Sequence, residues 1–366
     1  MPVLLRTIIA AATAVMAAAA VERRAPHGGR HHPPALSRVD ACADFNIPPP
    51  TAASCVPAIV YADSDVACCH HPIFNLLAHP SDRTFPLRPD TVVEETGLIV
   101  PFQYDCREWQ RGHPYHIAVP ARNVRCDVAD VMAKRGIRRQ TVDLPLVDEE
   151  YAELVAVYQA ALQAKETFTA IEMGARWGTW GSRAVSFLRR FNPAVHSHDV
   201  LYFEPDAVAA GGLKMVHHLN GITNFTLHTA NARADVIAAW AATKKHIDLV
   251  DIDIQGAEES LVPELAALLR SKVRRVIIGT HSAATHAKLS DFVRHQLKWT
   301  VVSDMPMSKD TGCVQAHYRD AFNIDMINKQ GCYHVGPFGK VVQWDGEIIA
   351  DNPALRAEES PEQCFV

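Results

Sequence analysis

The feature that most constrains this chain is an alternation of strand and helix signals that begins at Asp148 and runs past residue 300. Tyr151, Leu154, Val155, Tyr158 and Leu162 recur at i, i+3, i+4, i+7 spacing, so Glu149–Lys165 is expected to be an amphipathic helix. Short apolar strands are then expected at Phe168–Met173, Asp199–Phe203, Asn224–His228, Ile247–Ile252, Val273–Ile278 and from Trp299 to Val302. Helical patterns separate them at Ser182–Phe191, Asp206–Leu219, Ala234–Thr243 and Ala257–Leu269, with a further helix reaching His295. Strands joined through helices are parallel, and their right-handed crossovers place helices on both faces. The fold class read from this rhythm is α/β, a doubly wound and mostly parallel sheet.

That domain is expected over 148–350, closed by a strand at Val341–Trp344 with a turn at Asp345-Gly346 and followed by a tail, 351–366. Residues 51–147 hold many prolines and little sustained periodicity, which predicts an irregular, partly strand-containing region. Residues 22–50, rich in Pro, Ala, Arg and His, read as a disordered linker. At the start, Arg6 precedes an apolar, alanine-rich run over Thr7–Val21 that Glu22, Arg23 and Arg24 end. It resembles a secretory signal peptide with a small-residue cleavage site, and at roughly 15 residues it falls short of the ~20 that span a bilayer comfortably. A short anchor that tethers the chain to a membrane is the second reading, and organelle import the third.

The cysteines fit the secretory pathway. Cys42, Cys55, Cys68, Cys69, Cys106 and Cys126 lie before the α/β core and Cys313, Cys332 and Cys364 after it. Placement on the flanks alone suggests disulfides that staple irregular ends, with an odd thiol left over. Cys68-Cys69-His70-His71 lacks the paired spacings that let side chains converge on a metal, and no metal ligands are assigned. With 36 basic and 41 acidic residues well mixed, for a net charge of −5, the chain shows no basic stripe and is not expected to bind nucleic acid.

Three segments carry chemistry. The first, Glu172-Met173-Gly174-Ala175-Arg176-Trp177-Gly178, sits where the first core strand turns into a helix. Its glycines permit a tight turn and a close backbone approach to a ligand. It lacks the G-x-G-x-x-G spacing that seats a pyrophosphate on a helix N-terminus. Glu172 would repel a pyrophosphate but could receive the cationic amino end of S-adenosylmethionine, which favours that cofactor over a nicotinamide dinucleotide. The second, Phe203-Glu204-Pro205-Asp206, ends the next strand with a carboxylate able to accept ribose hydroxyls. Asp206 could equally cap the helix that follows. The third is Asp251-Ile252-Asp253-Ile254-Gln255-Gly256-Ala257-Glu258, at the carboxyl edge of the sheet, where ligands of such folds bind. Alternation points Asp251 and Asp253 to the same side, and neighbouring carboxylates can separate into base and hydrogen-bond acceptor. The plainer reading is that Asp253 and Glu258 cap the helix start.

Together these segments resemble the FkbM family of S-adenosylmethionine-dependent methyltransferases. Glu172 to Gly178 is similar to its D-V-G-A-N-x-G motif, and Phe203-Glu204-Pro205-Asp206 to its E-P strand end. Asn220-Gly221-Ile222-Thr223-Asn224 resembles its N-G-x-x-N segment, and Ile252-Asp253-Ile254-Gln255-Gly256-Ala257-Glu258 its I-D-V-E-G-A-E motif. The resemblance covers about residues 150–303. It departs at Arg176, where the family has Asn, and at Gln255, where it has Glu. It implies a class I methyltransferase-like fold and O-methylation of a hydroxyl on a small molecule or glycan. The cofactor-binding residues it implies are Glu172, Gly174, Ala175, Arg176, Gly178, Glu204, Asn231 and Asp251, with Asp253 and His281 catalytic. The alternative is a secreted or membrane-tethered binding protein that keeps the fold without turnover, a reading fed by Arg176 and Gln255.

Overall fold

The computed structural model describes residues 57–58, 68–69, 71–88, 90–101, 136–145, 150–306, 334–336, 339–341 and 345–356. The leader, the linker and all cysteines other than Cys68 and Cys69 lie outside the described residues, and with them the expected disulfides.

Helix α1 (Tyr151–Gln163) leads into strand β1 (Glu166–Met173), then α2 (Thr179–Phe191), β2 (Val195–Phe203), α3 (Ala207–Asn220), β3 (Phe225–His228), α4 (Ala234–Ala242) and β4 (Ile247–Ile252). Two short helices, α5 (Glu258–Glu264) and α6 (Ala266–Lys272), precede β5 (Val273–Thr280), α7 (Ala283–Asp291), a π-helical turn (Phe292–Leu297), β6 (Thr300–Met305) and β7 (Gly346–Asp351). The seven strands are ordered β6-β7-β5-β4-β1-β2-β3. All neighbours are parallel except β7, which runs antiparallel to both β5 and β6. This is a class I methyltransferase-like Rossmann fold, and the strand order reverses between β1 and β4, the place where doubly wound sheets bind ligands.

Two apolar layers hold it together. On one face Phe168, Ala170, Leu249, Ile277 and Ile349 pack under α1, α2 and α3. On the other, Ile171, Val250, Ile252, Val276 and Ile278 pack under the remaining helices. Each central strand therefore alternates between two buried faces, which is why its sequence reads as a continuous apolar run rather than an alternating one. Tyr158 of α1 stacks on Phe187 of α2 with ring centroids 4.1 Å apart, locking the two helices together.

Three expectations are corrected. The closing strand of the sheet is Gly346–Asp351, and of the expected Val341–Trp344 the residues 342–344 lie outside the described residues. Val341 pairs with His334 in a separate two-stranded ribbon, and Gly346 begins the strand rather than completing a turn. The single helix expected over Ala257–Leu269 is split because Pro263 has no N–H to continue the ladder, and α6 restarts after Leu265. The core also extends past residue 350, since Asp351 and Asn352 are both buried and Asn352 Nδ2 donates to the Leu269, Arg270 and Val273 carbonyls.

The N-terminal region is irregular as expected, with 3-10 turns and two-residue to three-residue strand pairs. It nevertheless docks firmly. The 3-10 turn Pro72–Leu77 sets Phe74 against Tyr151 and Tyr158. The hairpin of Thr91–Val93 and Ile99–Pro101 places Leu98 and Val100 against Trp177 and Val216. Its Glu94 forms a two-pronged, largely buried pair with Arg183 (2.8 and 2.9 Å).

On the α1 face, at the amino edge of the sheet, Arg275 is held bidentately by Asp351 (2.7 and 3.0 Å) and donates to the Ala156 carbonyl and to Gln159. Removing one partner of a buried pair strands the other charge. Asp351→Ala is therefore expected to cost about 3–5 kcal/mol in urea unfolding. A loss under about 1 kcal/mol, the range of surface pairs, would show that the guanidinium is solvated after all.

Candidate active site

The carboxyl edge of the sheet is organised by one turn. Gly174 has φ +82°, and a Cβ built there would lie 1.7 Å from the Asp253 carbonyl oxygen, so no other residue fits without moving β4. The end of β1 is tied to both neighbours: Asp253 N donates to the Met173 carbonyl at 2.9 Å, and Gly174 N and Ala175 N donate to the Phe203 carbonyl at 2.9 and 3.0 Å. Gly178, at φ +81°, is the left-handed residue from which α2 starts. The Gly174–Gly178 pair read from the sequence is thus a backbone requirement at both positions.

Glu172 is buried at the end of β1 and faces the same side as Asp251, its register partner on β4. Its two oxygens accept from Trp180 N (3.0 Å) and Gly181 N (2.7 Å) in the first turn of α2. Burial drives its carboxyl upward, those backbone donors and the Arg183 charge oppose, and the balance is a pKa of about 7. The residue therefore fixes the helix to the turn. Glu204, buried at the exit of β2, accepts from Arg176 N (2.6 Å) and Asp206 N (2.7 Å), closing the loop from the other side. Asp206 does the capping, accepting from Val208 N and Ala209 N. Glu204 is thereby left to the turn and to whatever occupies it. Ala175 is buried and Arg176 points outward with φ +50°. Gln255 likewise has φ +56°. Both departures from the resembled motifs fall on left-handed backbone, a conformation that asparagine tolerates better than arginine.

Asp253, Glu258 and His281 come together past the ends of β4 and β5. His281 Nε2 lies 3.1 Å from Asp253 Oδ1 and its Nδ1 lies 2.9 Å from Glu258 Oε1. Burial alone would discharge the ring, but hydrogen bonds to Asp253 and Glu258, with the charges of Asp253 and Asp345, raise its pKa to about 10. Gln255 Nε2 also approaches His281 Nε2, at 2.8 Å. Asp253 has a side chain 42% exposed and faces outward, with Gln255 Nε2 at 3.3 Å. Glu258 also accepts from Ile254 N and Gly256 N, so it braces the loop before α5, which has no side-chain cap. The ligand atoms of the three residues lie within 4.8 Å of one another, close enough for a cation.

Asn231 is exposed on the loop after β3. The residues that follow it, with Ile254, Ala257, Leu261 and Glu264, line a cleft of about 480 Å³ beside the switch point. Glu204 meets the turn at Arg176 N, Glu172 holds the start of α2, and the Asp253 carboxylate turns towards Gly279 and His281 while its backbone carbonyl covers Gly174; Asn231 lies further along the same edge. Sequence reasoning missed Glu153 and Glu347. Glu347 fell just past the segment read as a turn. The alternation Glu347, Ile349, Asp351 was the signal that a strand passes there with acids on its buried face.

No protein-family model matches the chain, and no curated protein sequence matches it. Among solved structures it is similar to an rRNA methylase from Streptococcus thermophilus, at 10% identity and TM-score 0.36 over 57% of this chain and 99% of the other. It is also similar to a ribosomal protein L11 methylase from Lactobacillus delbrueckii subsp. bulgaricus (14%, TM-score 0.32, 54% and 77%) and to a dimethyladenosine transferase from Plasmodium falciparum (14%, TM-score 0.32, 58% and 65%). At such low scores these likenesses add nothing to the strand order described above.

Proposed function

We propose that the chain is an S-adenosylmethionine-dependent methyltransferase acting on a hydroxyl of a small molecule or glycan. The observation that carries the reading is the buried Glu204 carboxylate held against the Gly174–Gly178 turn at the switch point, with Asp253 past the end of the neighbouring strand. The residues fit the cofactor at one point, a buried carboxylate at the end of β2 whose remaining lone pairs can accept ribose hydroxyls. When bound, the cofactor supplies an electrophilic methyl group on sulfur. Asp253, outward-facing and past the end of β4, is the group that takes the acceptor's hydroxyl proton. His281, set between Asp253 and Glu258, is a positioning residue for Asp253. The secretory placement, lumenal or tethered, extends the proposal on the strength of the N-terminal sequence, and the exposure of Asn224 in Asn224-Phe225-Thr226 is compatible with glycosylation there.

The reading without turnover draws on Arg176 and Gln255, which hold costly left-handed backbone beside the turn. Calorimetry with S-adenosylmethionine separates the two. Micromolar binding that falls at least about tenfold in Glu204→Ala, roughly the ~1.4 kcal/mol of a lost hydrogen bond to a charged group, supports the enzyme reading. No binding to the wild-type protein overturns it. Arg176→Asn should relieve the strained backbone and raise unfolding stability by about 0.5–1 kcal/mol, and a loss of that size would mean the arginine side chain is the stabilising part. His281 contributes stability in the direction of its raised pKa, fully below about pH 6.5 and progressively less as pH rises towards 10. Its ring carbons should keep imidazolium NMR shifts at pH 8, and a midpoint near 6.5 would return the residue to the role of base.

A further inference from the structure

Three segments remote in sequence bring ligand atoms to one ring nitrogen past the carboxyl ends of β4 and β5. Asp253 follows β4, His281 follows β5, and Asp345 precedes β7, whose Gly346 pairs with Thr280 at the same edge. Nε2 of His281 lies 3.1 Å from Asp253 Oδ1 and 4.0 Å from Asp345 Oδ2. The Gln255 amide closes another side, its Nε2 2.8 Å from the ring nitrogen and 3.3 Å from Asp253 Oδ1. Two ligands held about 2.1 Å from one ion stand roughly 3 to 4 Å apart, so these are the spacings of a shared coordination sphere. A half-turn of the Gln255 amide presents Oε1 in place of Nε2 and completes a set of four donors.

The ring is held as a metal ligand is held. Its side chain is 12% exposed, and behind it the fully buried Glu258 sets Oε1 2.9 Å from Nδ1. Glu258 is itself fixed by Ile254 N and Gly256 N. A carboxylate at the far nitrogen fixes the orientation of an imidazole, turns its other lone pair outward and raises its basicity, which is how metal-bound histidines are backed. Gly279 makes the room beside it. A Cβ there would come within 3.3 Å of Asp253 Cγ and 3.4 Å of its Oδ1, so the carboxylate is seated against bare backbone. Asp253 and Asp345 are partly exposed, and the cluster opens to solvent on their side, leaving positions for further oxygen ligands. Asp253, Glu258 and His281 are the one such group among the described residues with ligand atoms within 4.8 Å of one another.

We propose that His281 Nε2, Asp253 Oδ1 and Asp345 Oδ2, joined by the Gln255 amide, bind one divalent first-row transition-metal ion such as Mn2+, with Glu258 orienting the ring from behind. The ion takes the place of a proton on Nε2, because a ligand nitrogen must offer its lone pair. One imidazole among oxygen donors favours such an ion over magnesium or calcium, which prefer oxygen alone. Asp253 enters through Oδ1, which leaves Oδ2 for the proton transfer proposed above. Ion binding here needs no occupant at the Gly174 turn.

Calorimetry on the full chain, stripped with a chelator and titrated with MnCl2 at about pH 7, tests this. One Mn2+ should bind per chain with micromolar affinity, and MgCl2 and CaCl2 at least about tenfold more weakly. Asp253→Asn, Asp345→Asn and His281→Gln should each weaken Mn2+ at least about tenfold. Glu258→Gln, which acts through the ring, should cost about 10–100-fold. The two aspartates are partly exposed, so their variants should keep the fold, and cooperative melting within a few degrees of the wild-type temperature checks it. Co2+ in place of Mn2+ should give the visible bands of nitrogen and oxygen ligation. No saturable Mn2+ binding, affinity unchanged in both aspartate variants, magnesium binding as tightly, or a Co2+ spectrum dominated by thiolate charge transfer would each overturn the site as assigned. Titration of S-adenosylhomocysteine into the same preparations reads the cofactor turn separately. Its failure to bind, with Mn2+ binding retained, would overturn the methyltransferase reading and leave the ion site standing.

Discussion

The carboxyl edge of this protein depends on one contact, the passage of the β4 backbone over Gly174. The Asp253 carbonyl occupies the space of a Cβ at that position, and the two strands are sealed there by the Asp253 N–H on the Met173 carbonyl. Everything at the site follows from that close approach. It brings Asp253 beside the turn, aims the start of α2 at Glu172, and leaves the Arg176 N–H for Glu204. Two carboxylates are thus spent on organising backbone donors, which preorganises the turn before any ligand arrives.

Charge is handled by position on the sheet. At the amino edge of the α1 face, acids and Arg275 neutralise each other within the core. At the carboxyl edge, Asp253 and Glu258 bracket His281. The first arrangement belongs to stability.

Much of this was legible in the sequence. The helical period at Tyr151 to Leu162 and the apolar runs of β1, β4 and β5 located the core strands within a few residues, because those strands are buried on both faces. The glycine pair, Glu204 and Asp253 were readable since the turn constrains residue type. What escaped was set by tertiary context. β7 carries Glu347 and Asp351 on its buried face, so its composition reads as surface. His281 looked like a base, and only the approach of Glu258 and Asp253 from separate elements reveals its charge. The Asp206 cap, open to view in the sequence, is formed, and it leaves Glu204 to the turn.

The central claim is that the Gly174 turn is where the cofactor sits. Amide NMR of the labelled full-length protein during titration with S-adenosylhomocysteine tests it most directly. The account predicts saturable shifts at Gly174, Arg176, Gly178 and Glu204, with Asn231 following along the same edge. Shifts confined to other parts of the molecule, or none at saturating ligand, would contradict it.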